Sequence, residues 1–142
     1  MDNKFSSAIH TLILISESDQ PLTSEDIAKS VGTNASYIRK ITGLLKKRGI
    51  IDSHRGVSGF SLKVKSEDLT LLQIHQAVNE TESPCLFDLH QNPNDKCAVG
   101  RYIKPVLTGM FAETEDAFAR ALAQKTLADC IGGIRERLDA ES

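Results

Sequence analysis

The sequence predicts a mainly α-helical protein that carries one small β-hairpin and a long amphipathic helix toward its C-terminus. Three observations lead to this fold class. Residues 22–49 hold two short helical patterns either side of a glycine, residues 50–64 suggest two short strands around a glycine-rich turn, and a long helical apolar pattern starts near Ala98. Apolar side chains that recur every three or four residues are typical of helices, and alternating ones are typical of strands.

The first predicted helix runs from Phe5 to Ser16. Its apolar residues follow helical spacing over nearly the whole length, which provides one continuous face for burial. These residues are Phe5, Ala8, Ile9, Leu12, Ile13 and Ile15. Gln20 and Pro21 then end the connection to the next helix, because proline disfavours a helical conformation in the residue before it.

Residues 22–49 predict two short helices joined by a tight turn. Thr23 or Ser24 can cap the first helix, and Gly32 can leave it with a positive φ. Asn34 can cap the second helix. The apolar face of that second helix consists of Ile38, Ile41, Leu44 and Leu45. This arrangement is the signature of the helix-turn-helix, whose second helix normally enters the major groove of DNA.

The outward face of the second helix favours DNA binding over a plain helical hairpin packed in a core. Ser36, Tyr37, Arg39 and Lys40 lie in the first two turns, away from the apolar face. Their side chains include donors that can reach phosphates and base edges. We therefore predict that these four residues enter the major groove.

A hairpin directly follows that helix. Residues 50–55 and 60–64 read as strands, and the turn between them contains two glycines. A hairpin in this position is a wing, so the predicted fold is a winged helix-turn-helix. Arg55, with Ser58 nearby, can reach an adjacent minor groove, whose negative potential attracts guanidinium groups. The alternative for Arg55 is a solvated hairpin charge.

A further helix and a long loop follow the wing. The helix is expected over residues 69–78, after the acidic cap formed by Ser66, Glu67 and Asp68. The loop covers roughly residues 82–96 and is rich in Pro, Asn and Asp, which are turn formers. A loop of this length in a compact domain tends to be functional or disordered.

The long helix near the C-terminus starts at about Ala98. Its apolar stripe is wider than a chain of this size can cover by itself, which predicts a dimer seam. The alternative is a helix folded against its own domain. Pro105 should kink this helix or mark its real start. Thr126 opens a last short helix, which the Gly132–Gly133 pair should weaken.

Charge is divided unevenly along the chain. The 142 residues carry a net charge of −2, but residues 1–65 hold ten Lys/Arg against six Asp/Glu and residues 66–142 hold seven against thirteen. A basic N-terminal half suits a nucleic-acid-binding head. We predict a DNA-binding domain at 1–80, a signal-sensing loop at 81–97, and a dimerisation helix with a terminal helix at 98–142. No export signal or membrane-span run is recognised, so a cytoplasmic protein is expected.

The segment from Gly32 to Val64 resembles the winged-helix part of the bacterial Rrf2 family of regulators, which includes IscR, NsrR and CymR. The matching features are the Asn34-capped helix start, the Leu-Leu-Lys-Lys-x-Gly helix end and the Arg-Gly-x-x-Gly-aromatic wing. The likeness extends over nearly the whole chain, and the segment Asn-Pro-Asn-x-Lys-Cys-x-Val-Gly is similar to that of the YwnA-like branch. The resemblance and the predicted seam imply a homodimeric transcription regulator, a repressor, that reads a palindromic operator in double-stranded DNA.

IscR-like and NsrR-like members of the family use three loop cysteines to hold an iron–sulfur cluster. The loop of this chain has two, Cys85 and Cys97. Gln91 stands where a middle cysteine would fall, and Gly100 stands where IscR-like proteins have a histidine ligand. The conceivable substitute ligands are Asp88 and His90. Because clusters are held mainly by thiolates, we expect no cofactor, and the absence of a Cys-x-x-Cys pair argues against a zinc site.

Cys97 is the candidate redox-sensing thiol. It follows Lys96 and sits where the long helix begins, and a helix N-terminus with nearby cations lowers the pKa of a thiol. Cys85, in the same loop or in the loop of a partner subunit, is the candidate resolving thiol. The alternative for Cys97 is a small packing residue, which is also the interpretation for Cys130. Release of DNA on thiol oxidation is the expected response.

Catalysis has little support in the sequence, because it lacks a Gly-rich phosphate loop, a Gly-x-Ser-x-Gly elbow and a His-Glu-x-x-His motif. We therefore expect that the protein is not an enzyme. Two further hypotheses remain open besides the thiol-responsive regulator. One is a regulator that senses an iron–sulfur cluster or a small ligand, and the other is a DNA-independent protein-interaction module.

Overall fold

The computed structural model describes residues 3–53 and 59–142, which form six helices and one two-stranded hairpin. The helices are α1 (Lys4–Glu17), α2 (Ser24–Val31), α3 (Ala35–Lys47), α4 (Leu71–Asn79), α5 (Ala98–Ala123) and α6 (Leu127–Glu141). Strands β1 (Ile51–Ser53) and β2 (Phe60–Leu62) pair antiparallel, with Asp52 opposite Ser61. The predicted mainly α-helical fold with a small hairpin is confirmed.

Local hydrogen bonds set the α2–α3 turn as the sequence predicts. Thr23 Oγ1 accepts the N–H of Asp26 at 3.1 Å, and the Asp26 carboxylate accepts the N–H of Thr23 at 3.0 Å. Gly32 ends α2 with a φ of +86°, and the Asn34 side chain accepts the N–H of Tyr37 at 2.8 Å to begin α3. These caps satisfy backbone groups that a helix end otherwise leaves unpaired.

The apolar face of α3 divides between two clusters of buried side chains. Ile38 packs with Ile27 and Ala28 of α2, whereas Ile41 and Leu45 enter the main core. The other fully buried large side chains of that core include Leu12, Ile51, Leu69, Ile74, Val78 and Leu127. Burying one such side chain stabilises the fold by roughly 1.5–3 kcal/mol. The main core therefore fixes α3 relative to α1 and α4.

The terminal helix α6 folds back onto the N-terminal part of the chain. Leu127 and Ile131 of α6 are buried in the main core, and a β-bridge joins Thr70 to Thr126 at the start of the helix. Thr126 and Asp129 form another capping box at its start, and α6 runs to Glu141 in spite of its two glycines. The predicted C-terminal region thus shares its core with the predicted DNA-binding domain.

Helix α4 begins at Leu71, two residues after the predicted start. Thr70 caps it, because its Oγ1 accepts the N–H of Gln73 at 3.1 Å while the Gln73 side chain accepts the N–H of Thr70 at 2.8 Å. The predicted cap at residues 66–68 is therefore wrong. Leu69 stays outside the helix and is nevertheless fully buried.

Helix α5 continues through Pro105, so this proline does not mark the start of the helix. Proline removes one backbone hydrogen bond, the one to the carbonyl of Arg101, and a helix of 26 residues tolerates this loss. None of the residues of α5, all of which are described, is fully buried. The large apolar side chains most exposed on it are Val99, Tyr102, Val106 and Met110, at 55–70 % exposure.

Candidate nucleic-acid interface and cysteine loop

The first half of α3 presents three exposed polar side chains and one that is half-buried. Ser36, Arg39 and Lys40 are exposed. Tyr37 instead packs against the main core, and its hydroxyl donates to Asn3 Oδ1 at 3.0 Å. All four residues lie together as predicted, and Tyr37 is the one whose hydroxyl already has a partner within the chain. Their contact with DNA stays a prediction.

Arg39 forms an ion pair with Glu25, which lies in the first turn of α2. Arg39 Nη2 donates to Glu25 Oε1 at 2.6 Å, and the two side chains are 59 % and 61 % exposed. Sequence reasoning missed Glu25, because positions 25 and 39 belong to different helices and no periodicity connects them. Only the α2–α3 crossing brings them together.

The basic end of α3 contacts the C-terminal end of α4 and the start of the loop at residues 81–97, which carries Cys85 and Cys97. Lys47 Nζ lies 3.4 Å from Glu80 Oε1, and Arg48 Nη1 lies 3.0 Å from Glu82 Oε1. Gln76 Nε2 also donates to the Glu82 carbonyl at 2.7 Å. These contacts connect the predicted recognition helix with the predicted sensing loop.

Arg55 and Ser58, the two residues predicted for the wing, lie outside the described residues. The strands that flank them do pair, and Ser53 lies opposite Phe60 in the pair nearest to these two residues. The presence of the hairpin is therefore confirmed, while the role of both residues stays a prediction.

Cys97 is exposed and occupies the N-cap position of α5. The backbone N–H groups of Gly100 and Val99 lower the pKa of its thiol, because they stabilise the thiolate. The preceding turn is closed by a hydrogen bond from the Cys97 N–H to the Asn94 carbonyl at 3.3 Å. Cys97 thus lies exposed at the helix start within the single chain, and its redox role stays a prediction.

The Asn94 carbonyl also explains why position 100 is glycine. A Cβ atom at Gly100 would collide with the Asn94 carbonyl oxygen, which is a backbone atom and cannot swing aside. The turn at 94–97 therefore packs directly on the first turn of α5. A histidine or any other side chain has no room at position 100.

The other end of the loop, which carries Cys85, docks near the middle of α5. The N–H groups of Leu86 and Phe87 donate to Glu115 Oε2 at 2.5 and 3.3 Å. The rings of Phe87 and Phe111 also pack together at a tilt of 39°, with centroids 4.9 Å apart. Glu115 is a second acid that sequence reasoning missed, since no pattern indicates which helical side chain binds a loop amide.

This docking keeps the two loop cysteines far apart. Glu115 follows Cys97 by 18 residues, which is about 27 Å along a helix that rises 1.5 Å per residue. Cys85 precedes Leu86, so its Cα lies within about 10 Å of the Glu115 Cα by bond geometry. The two cysteines are thus about 17 Å or more apart, whereas a disulfide needs Cα atoms within about 7 Å.

Cys130 is partly buried on α6, as its predicted packing role requires. Burial raises the pKa of its thiol, and the neighbouring Asp129 carboxylate adds to this rise. The structure thus distinguishes Cys97 from Cys130 by the direction of the pKa change.

Among the residues at 3–53 and 59–142, no group of three or more His, Cys, Asp and Glu side chains could hold a metal ion. Asp88 and His90, considered as substitute ligands, complete no such group. Over the same ranges, none of the helices combines the length and the apolar character needed to cross a membrane.

Comparison with protein families finds a match to the model described as "Rrf2: Iron-dependent Transcriptional regulator" over residues 1–133. Among curated proteins, the chain is 42 % identical over 129 residues to YwnA of Bacillus subtilis, a proposed HTH-type transcriptional regulator. The alignment covers 91 % of this chain and 95 % of YwnA.

Two solved structures illustrate the structural likeness. A proposed DNA-binding protein is 38 % identical and superposes with a TM-score of 0.76, covering 90 % of this chain and 98 % of that one. The oxidized form of CymR from Staphylococcus aureus has a TM-score of 0.67 at 19 % identity, covering 92 % of this chain and 94 % of CymR, and shows a shared fold.

Proposed function

This chain belongs to the Rrf2 family of transcriptional regulators, as predicted, and we propose that it is a homodimeric repressor that reads a palindromic DNA operator. The observation that carries the proposal is the exposed polar face of α3, which presents Ser36, Arg39 and Lys40 next to a structurally defined helix-turn-helix. Solved Rrf2 structures share this winged-helix architecture, which supports the proposal that α3 is the helix that faces DNA.

The basic residues at the two ends of α3 differ in their surroundings, and this difference gives DNA contact through the exposed face a physical basis. The cations Lys47 and Arg48 at its end pair with Glu80 and Glu82, whereas Lys40 lies exposed in its first half. Exposed cations attract the phosphate backbone and release counterions, which makes binding salt-dependent. Arg39 and Ser36 then supply donors for base edges. Arg55 and Ser58 serve the wing in this proposal.

A homodimer is supported by two apolar surfaces that the chain leaves exposed. The first is the stripe on α5 formed by Val99, Tyr102, Val106 and Met110. The second is a groove between α1 and α6, whose two adjoining cavities measure 470 and 250 Å³. Its apolar lining is formed by Ile9, Ile13, Leu14, Ile131, Ile134 and Leu138. A second copy that covers these surfaces would set two α3 helices at neighbouring half-sites.

The proposed signal is oxidation of Cys97 by a hydroperoxide. The thiolate attacks the peroxide O–O bond, a sulfenic acid forms on sulfur, and hydroxide or an alkoxide leaves. The thiolate charge that the N–H groups of Gly100 and Val99 stabilise is lost in this step, which loosens the first turn of α5. CymR, a neighbour of the same fold, has been crystallised in an oxidized form, which supports a response to oxidation in this fold.

The loop offers a route by which this change reaches the DNA. Residues 80–87 are held at one end by Lys47 and Arg48 of the α3 end and at the other by Glu115 of α5. A shift of α5 is therefore transmitted to the recognition helix. Cys85 can form a disulfide with the oxidised Cys97 of the same chain only after the loop leaves Glu115. We therefore expect the sulfenic acid to react with a small thiol or with a thiol of the partner subunit.

The residues of the loop do not fit the iron–sulfur cluster that the resemblance to IscR-like and NsrR-like regulators raises. Cys85 and Cys97 lie at opposite ends of the docked loop, and the carbonyl of Asn94 excludes a histidine at position 100. Clusters normally take four ligands, mainly thiolates. We therefore propose that the chain works without this cofactor, and anaerobic purification followed by iron analysis and visible spectroscopy tests it. Stoichiometric iron with a cluster spectrum would overturn this proposal.

Selection of bound duplexes from a random library, with reduced and peroxide-treated protein, tests the function. We expect the reduced protein to enrich a palindrome and to bind it less tightly as salt rises, and the oxidised protein to release it. Cys97→Ser should keep binding and lose the response, whereas the matched Cys130→Ser should respond normally. Normal release by Cys97→Ser would end the thiol mechanism, and no enrichment by any form would end the DNA-binding proposal.

A further inference from the structure

We propose that Glu25 is a positioning residue for DNA reading, which holds the Arg39 guanidinium over the base-contacting side of α3. The inference rests on the proposed DNA-binding function, because Glu25 acts through Arg39. The contact is short, with 2.6 Å between Glu25 Oε1 and Arg39 Nη2, and both residues belong to the helix-turn-helix.

The fold holds the Glu25 backbone in a fixed place relative to α3. The Thr23–Asp26 capping box defines the first turn of α2, and Gly32 defines the turn between the helices. Ile27 and Ile38, both fully buried, lock the two helices together. The Glu25 carboxylate therefore approaches Arg39 from a rigid support, as preorganisation of a reading side chain requires.

Stability alone does not explain this acid. Ion pairs between side chains that are 59 % and 61 % exposed contribute little to folding, and Asp26 already places a carboxylate in the first turn of α2, where it favours the helix dipole. A carboxylate close to a surface that must approach phosphates also weakens DNA binding electrostatically. A role in discrimination explains the acid at this position: Glu25 improves discrimination between DNA sequences and lowers the overall affinity for DNA.

The geometry of arginine shows how discrimination can improve. A guanidinium has five N–H donors in a fixed plane. An Arg39 side chain that donates to Glu25 from one nitrogen therefore keeps other donors for the O6 and N7 acceptors of guanine. Without Glu25, the same side chain is free to reach a phosphate, which is a contact that carries no sequence information. Glu25 thus biases Arg39 toward bases.

Glu25→Gln, Arg39→Ala and the double variant form a cycle that tests the inference. The measurement is the ratio of dissociation constants for scrambled DNA and for the duplex that the native protein selects, at two salt concentrations. We expect Glu25→Gln to bind scrambled DNA more tightly and to lose about fivefold or more of the ratio. In the Arg39→Ala background, Glu25→Gln should leave the ratio unchanged. Glu141→Gln at the exposed C-terminus is the matched control for the loss of one negative charge.

The outcomes separate this inference from the function on which it rests. If the native protein selects no duplex, the proposed DNA reading fails. If it does select one, and Glu25→Gln keeps or raises the ratio, Glu25 competes with the DNA for Arg39 and the positioning role is overturned. An equal loss of the ratio in the Arg39→Ala background would overturn it as well, because Glu25 would then act by another route. Circular dichroism spectra check that every variant is folded.

Discussion

Neighbouring side chains of α3 differ in how the fold constrains them. Tyr37 is tied to Asn3 and to the core, Arg39 is tied to Glu25, and Ser36 and Lys40 point outward from the same turns. A constrained side chain loses less conformational freedom when it binds than a free one does. We therefore expect the largest contribution to sequence discrimination from Arg39 rather than from Lys40.

Arg39→Ala should relax the base preference of the protein at one position of each half-site. The expected cost for the selected duplex is about 1–3 kcal/mol, because one base contact is lost, with a much smaller change for scrambled DNA. Competition binding with single-base variants of the duplex measures this. Lys40→Ala is the comparison, and it should weaken all sequences about equally. An equal loss over all sequences for Arg39→Ala would make it a phosphate contact only.

The pKa changes of Cys97 and Cys130 predict an order of reactivity. Cys97 has a lowered thiol pKa because of the N–H groups of Gly100 and Val99, whereas burial raises the pKa of Cys130. Since only the thiolate reacts, alkylation of Cys97 should rise with pH and level off at a lower pH than alkylation of Cys130. Mass spectrometry after short pulses of iodoacetamide measures both rates. Cys130 labelling first at neutral pH would contradict the structure.

At the scale of elements, the hairpin is anchored where β2 begins. Gly59 has a φ of +117°, and a Cβ atom there would lie 2.7 Å from the Cβ of Pro21 and 3.1 Å from its Cα. The hairpin thus leans on the α1–α2 connection, and both the conformation and the contact require glycine.

Gly59→Ala should lower the free energy of unfolding by about 1–3 kcal/mol, because it combines backbone strain with a collision against Pro21. Gly43→Ala is the matched control. Gly43 lies within α3 with open space around it, so the same change should raise the free energy of unfolding by about 0.5–1 kcal/mol. Urea denaturation measures both. A neutral Gly59→Ala would show that β2 can shift away from Pro21.

At the scale of the whole molecule, His75 lies where three helices meet. Its ring on α4 packs edge-on against Phe5 of α1 and Phe118 of α5, with centroids 5.1 and 5.7 Å away. Its Nδ1 is buried and has no hydrogen-bond partner within the described part of the chain. Burial lowers the pKa of His75 from its ordinary value of 6.5, because the charged ring loses its hydration.

The packing of His75 predicts a loss of stability in mild acid. The unfolded chain takes up a proton as the pH falls through 6.5, whereas the folded chain takes it up only at a lower pH. The stabilisation is therefore complete above pH 6.5 and is lost as the pH falls toward the folded-state pKa. Thermal unfolding of the native protein and of His75→Phe at several pH values measures this. The two pH profiles should differ in slope below 6.5, and parallel profiles would refute the linkage.

The proposed dimer predicts the behaviour of a charge placed on α5. Met110 is 58 % exposed on the apolar stripe, so Met110→Glu should leave the fold of one chain intact. A carboxylate buried at the seam without a partner is strongly unfavourable, so this variant should dissociate and bind a palindrome far more weakly. Sedimentation measures the mass. Glu113→Gln is the comparison on the same helix, and a dimeric Met110→Glu would place the seam elsewhere.

Much of the fold was determined by the sequence alone, because it depends on interactions between residues close in the chain. The capping of α2 and α3, the left-handed Gly32 and the apolar face of α3 each involve residues within a few positions of one another. Because the same local structure requires the same kinds of residues at the same spacing, these patterns predict the helices, the hairpin and the exposed polar face of α3. The cap of α4 is an exception, because Ser66, Glu67 and Asp68 are also typical of a helix start and compete with the local signal of Thr70 and Gln73.

The contacts that give the site its character were decided only by the tertiary structure. Arg39 meets Glu25 across 14 positions, and Leu86 meets Glu115 across 29. No periodicity in the sequence encodes such pairs, because each depends on how two elements cross once the core has packed. The separation of Cys85 from Cys97 has the same origin. Two cysteines twelve positions apart can either form a disulfide or lie far from each other, and the docking of the loop on α5 keeps them far apart.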